Sequence, residues 1–70
     1  MDTIEIGQKV VARSSSDKLL EKRALSGVIM GDDFPVVWVC REEEWQAAQE
    51  EGRDAEGVPW PADAVQPYSA

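Results

Sequence analysis

Ser26-Gly27-Val28-Ile29-Met30-Gly31-Asp32-Asp33-Phe34-Pro35-Val36-Val37-Trp38-Val39-Cys40 is the stretch on which the fold turns. Two apolar, β-branched runs flank a cluster of Gly, Asp and Pro. The cluster supplies turn-forming backbones, and the runs favour a pleated, half-buried surface. The reading is a β-hairpin with a loop of four or five residues at positions 31–35. The strand after it, residues 36–40, is the most hydrophobic segment of the chain and is expected to be central. Period 2 sets Val37 and Val39 on one face and Val36, Trp38 and Cys40 on the other, with both faces at least partly covered.

Working back toward the N-terminus, Gln8-Lys9-Val10-Val11-Ala12-Arg13 predicts a first strand. Its inner set is Val10 and Ala12, and its outer set is Lys9, Val11 and Arg13. Ser14-Ser15-Ser16-Asp17 breaks it. Residues 17–26 admit two readings. Ser16 caps a helix over 17–25 that Gly27 ends, or a long loop leads into a strand from about Lys22 to Met30. The strand is the preferred reading, because residues 28–30 are strand-like and the strand must begin before Gly27.

Working forward, Arg41 to Glu51 consists of good helix formers with glutamates at the positive end of the helix dipole. Gly52 is placed to end this helix in the left-handed conformation. Trp45 and Ala48 form its thin apolar stripe. Val58-Pro59-Trp60-Pro61 must be extended, since each Pro fixes its own φ and biases its predecessor away from helix. Pro61-Ala62-Asp63-Ala64 suits one helical turn. Val65-Gln66-Pro67-Tyr68 suits a short edge strand, where Pro is tolerated. Residues 69 and 70 are expected to fray.

The expected fold is therefore mostly β, a small barrel with one short helix inserted before the last strand. The order resembles a Src-homology-3-like barrel of the Tudor or KOW kind. The residues that carry the resemblance are Ile6-Gly7-Gln8-Lys9-Val10-Val11, Ser26-Gly27-Val28-Ile29 with residues 36–39, and Trp60-Pro61-Ala62-Asp63-Ala64-Val65. They cover about half the chain. In such barrels an aromatic groove between loops often binds peptide, methylated side chains or nucleic acid. The segment from Glu44-Trp45 to Gly57-Val58-Pro59-Trp60-Pro61 is also similar to small proteins of actinobacteria and their phages, a likeness that names no activity.

Composition bounds the function. Seventy residues, 43% apolar and 30% charged, make one folded domain over 1–70. No apolar run is long enough to span a bilayer. Asp2-Thr3-Ile4-Glu5 does not read as a secretory leader. With Cys40 as the lone thiol no internal disulfide can form, so a reducing, cytoplasmic setting is expected. There is no His, which removes the commonest general base and, with one Cys, removes a zinc set. Asp32 and Asp33 read as turn formers rather than a cation loop. No cofactor, metal or catalytic residue is expected, and the chain is read as non-enzymatic.

Charge gives the remaining signal. The net charge is −7. Residues 42–56 hold seven acids against Arg53 alone. Such a field repels phosphate backbones and attracts basic surfaces. The expected function is a protein-interaction module presenting an acidic helix and a tryptophan rim to a partner with a basic surface. Glu43, Trp45, Glu50, Glu51 and Trp60 are its candidate contacts. The first alternative is a nucleic-acid-associated barrel using Lys9, Arg13, Lys18, Lys22 and Arg23. The second is a structural subunit of a phage particle or a homo-oligomer, with exposed Trp buried between copies.

Overall fold

The structure, a computed structural model, describes residues 4–68. The expected fraying of residues 69 and 70 lies outside them. The valine-rich segments form strands, and every strand pairing is antiparallel. The elements are β1 (Lys9–Arg13), β2 (Leu19–Ala24), β3 (Ile29–Met30), β4 (Pro35–Cys40), α1 (Glu42–Glu51), β5 (Val58–Pro61), a single 3-10 turn (Ala62–Ala64) and β6 (Val65–Pro67). The fold is mostly β: one curled antiparallel half-barrel sheet, with a single short helix before the last strands.

The registers explain the curl. β4 is the hub, with β5 along one edge from Val39↔Val58 to Val36↔Pro61. Its other edge is shared by β2, at Ala24↔Val39, and β3, at Ile29↔Val36. Between those two contacts the β2 side advances five residues and β4 only three. The two extra residues form a bulge, which bends and twists a sheet. Ser26 repairs the broken ladder: the Trp38 N–H donates to its Oγ at 3.1 Å, and the Leu25 N–H donates to the Trp38 carbonyl at 2.6 Å. The expected continuous strand from Lys22 to Met30 is thus two strands.

β2 begins earlier than expected, at Leu19, and the long loop is a tight turn. Asp17 N–H bonds the Ser14 carbonyl at 2.9 Å, and Ser14 N–H bonds the Lys18 carbonyl at 2.8 Å. Asp17 takes a positive φ of 65° to close it. The helix over 17–25 does not form, because residues 19–23 pair with β1 and residues 23 and 24 with β4. Tertiary pairing overrides local propensity here.

The concave face holds the core. Val10, Ala12, Ala24, Val37, Val39 and Val65 are buried there together with Ile4. Val10, Val37 and Val39 are the largest fully buried side chains. Each contributes about 1.5–3 kcal/mol. Apart from Ile4, and Trp60 packed against it, the core is therefore built from valine and alanine, and Leu19, Ile29, Met30 and Phe34 are exposed.

β5, β6 and the two-residue β3 are each paired on one side only. Pro59 faces Trp38, Pro61 faces Val36 and Pro67 faces Val10. A proline lacks an N–H, so it fits where the ladder bond points away from the neighbour. The helix matches its expected limits. Arg41 is its N-cap, and Gly52 ends it at φ 67°, with its N–H on the Ala48 carbonyl.

Candidate functional site

The acidic helix is fastened before it is displayed. On α1, Ala48 is buried and Trp45 half-buried, and both face the body of the protein. The Trp45 ring lies on Gly7, whose φ of 87° brings bare backbone up to it. Beside it, Arg23 Nε donates to Glu42 Oε1 at 2.8 Å, and Arg23 Nη1 donates to the Gly7 carbonyl at 2.9 Å. Gln46 donates to the other Glu42 oxygen at 2.7 Å. These bonds hold the Glu42 carboxyl below the usual carboxylate range, with the Arg23 bond contributing most.

The far end of the helix is tied by Arg53. Its guanidinium donates to Glu44 at 2.6 Å and to Glu51 at 2.9 Å. Glu44 also accepts the Glu56 N–H at 2.9 Å, and its carboxyl is lowered, chiefly by Arg53. Arg53 is raised above its already high value by the same two acids. Of the expected acidic contacts, Glu51 is therefore already paired, sharing Arg53 with Glu44. Glu43 and Glu50 remain. Seven residues apart, they share the face of α1 opposite Trp45 and Ala48. Both are exposed, with no cation partner among the described residues.

The two candidate tryptophans are anchored apart. Trp60 points into the concave face against the core, and its Nε1 donates to the Arg13 carbonyl at 2.9 Å. Trp45 lies on Gly7, just before the other end of β1. The five-residue strand β1, roughly 15 Å long, lies between those anchors. The indoles therefore hold two ends of the structure and do not form one continuous rim.

The five candidate cations are also dispersed. Lys9, Arg13 and Arg23 lie on the outer face of β1 and β2, while Lys22 lies on the inner face with its Nζ 5.8 Å from the Trp60 ring. Lys9 meets Glu21 at 3.8 Å and the Tyr68 ring at 4.9 Å. Arg13 meets Asp17 at 3.4 Å, and Arg23 is held by Glu42. Lys18 is exposed in the β1–β2 turn.

Cys40 is 4% exposed. Burial pushes its thiol up, and the Glu44 and Glu42 carboxylates push it further. It stays protonated and weakly nucleophilic at neutral pH. Among the described residues no cluster of three or more His, Cys, Asp or Glu is placed to hold a metal ion, and no helix is long and apolar enough to cross a membrane.

The reading of the sequence missed an apolar outer surface around the β3–β4 hairpin. Trp38, in the middle of the hub strand, is 39% exposed between buried Val36 and Cys40. Phe34 is 49% and Met30 78% exposed. Alternation on β4 gives the face of Trp38 but not whether that face is covered. Two grooves flank Phe34. One, of about 710 Å³, runs past Pro35, Pro61 and Ala62. The other, of about 440 Å³, runs past Ile29, Trp38 and Pro59. Comparison with protein-family models, curated proteins and solved structures finds no significant match to this chain.

Proposed function

We propose that this chain is a non-enzymatic protein-interaction module, a small Src-homology-3-like barrel that presents the outer face of α1 to a partner with a basic surface. The strand sequence β6–β1–β2/β3–β4–β5, with a 3-10 turn joining the last two strands, supports the barrel reading. The observation that carries the functional reading is the pair Glu43 and Glu50, held outward together while Glu42, Glu44 and Glu51 are spent on Arg23 and Arg53. The tied acids give the helix a fixed position. The two outward ones are available for exchange with a partner's Lys or Arg. Trp45 serves as a positioning residue that sets where this face stands.

A pull-down from the host with mass spectrometry, followed by a salt titration, tests the reading. Capture of a basic protein that weakens with salt, and that Glu43→Lys with Glu50→Lys abolishes while the melting curve is unchanged, supports it. Capture that neither salt nor the double reversal affects rejects it. The variant Glu51→Lys is a poor probe, because it also breaks the Arg53 contact.

A further inference from the structure

We infer that the outer groove between the β3–β4 hairpin and β5 is a second docking site, for an apolar peptide segment of a partner protein that carries a Lys or Arg beside its apolar residues. Ile29, Met30, Trp38 and Pro59 line it, with Asp32 and Asp33 beside them at the hairpin tip. No Lys or Arg lines it.

Three observations lead there. First, the placement of the apolar side chains is costly. The core's fully buried large side chains are three valines, while an indole and the long side chains of Ile29 and Met30 face water. A chain this small has little burial to spare. Exposed apolar patches with a polar rim mark interaction surfaces. Second, the backbone of Trp38 is held on both sides. Its N–H and carbonyl are both bonded to the bulge, at Ser26 and Leu25, so the indole stands on a fully paired backbone in the strand with three partners. Aromatic anchors on fixed backbone are what recognition centres are made of. Third, the charge beside the groove has one sign. Asp32 and Asp33 are exposed, and neither has a cation partner among the described residues. An apolar group seated on Trp38 puts a neighbouring cation within reach of them. A second copy of this chain fits poorly, since a symmetric contact through this face would bring the two acidic hairpin tips together.

This site differs from the Glu43 and Glu50 face and stands or falls separately. The probes are short synthetic peptides of three compositions: apolar with Lys and Arg, apolar with Glu, and polar with Lys and Arg. Binding to the full chain is read by NMR shifts of the indole N–H signals and by fluorescence anisotropy. The expected result is that the apolar basic peptide alone binds and moves the Trp38 signal. Trp38→Ser abolishes binding. Asp32→Lys with Asp33→Lys weakens it roughly tenfold or more and turns the preference toward the apolar acidic peptide. Glu43→Lys with Glu50→Lys leaves it within about twofold. Binding that is indifferent to Trp38→Ser, or absent for all three peptides at millimolar concentration, overturns the proposal. So does sedimentation as a dimer that Trp38→Ser converts to a monomer, which assigns the face to a second copy. The charge reversals at the exposed hairpin tip leave the core untouched and keep the test valid if Trp38→Ser unfolds.

Discussion

Trp45 rests so closely on Gly7 that a Cβ added to the glycine would lie 3.1 Å from Trp45 Cζ2. That contact joins the helix to the start of the sheet. Gly7 also has a φ of 87°, which L side chains rarely adopt. Gly7→Ala should therefore act twice, through backbone strain and by pushing the indole away. The expected loss is about 2–3 kcal/mol. Thermal melts followed by tryptophan fluorescence will read it. Amide exchange should show α1 losing protection more than β1 does.

The Arg23–Glu42 pair predicts an acid-sensitive step. Glu42 has a lowered folded pKa, so its contribution is fully present above the unfolded value and is lost as pH falls through the folded one. Wild-type stability should decline below about pH 4. Arg23→Gln should be less stable at neutral pH and should lose part of that decline. Urea melts of both proteins across the acid range give the comparison. Parallel curves would place the sensitivity elsewhere.

Two glycines separate crowding from backbone conformation. At Gly57 an added Cβ would overlap the Val39 carbonyl oxygen and lie 2.6 Å from Leu25 Cδ1. At Gly52 nothing lies within 4 Å, but φ is 67°. Gly57→Ala should cost about 3 kcal/mol or more, because a backbone atom must move. Gly52→Ala should cost only about 1 kcal/mol. Equal losses in denaturant melts would contradict the assigned positions.

Trp60→Phe keeps an aromatic ring on the core but removes the donor to the Arg13 carbonyl. A loss of about 0.5–1.5 kcal/mol is expected, that of one net hydrogen bond, since the exposed Arg13 carbonyl can turn to water. Exchange of the β1 amides should rise near Arg13 rather than near Lys9.

The parts of the fold that could be read from sequence are those set by neighbours along the chain. The turn at Gly31-Asp32-Asp33-Phe34 and the stop at Gly52 depend on residues within reach of one another, and both stand where expected. The path of Leu19-Leu20-Glu21-Lys22-Arg23-Ala24 could not be read, because its residues suit a helix and only pairing with β1 and β4 makes them a strand. The same separation hid the state of the charges. Arg23 and Glu42 are nineteen residues apart, and Arg53 and Glu44 nine. Five acids on one short helix look alike until the folded chain shows which of them are tied. Trp38 illustrates a further gap: periodicity gives a side chain's face, while coverage depends on what packs there.

The prolines at 59, 61 and 67 bear on how such a chain survives at high concentration. The two longer open margins of the half-barrel are β5 and β6, and an open margin is a template for fibril growth when its amides are free. Here both margins carry carbonyls where a matching donor is missing, so an arriving strand finds no register in which to bond fully. Replacing these prolines with valine would restore the missing donors and leave both margins open to amyloid-like stacking.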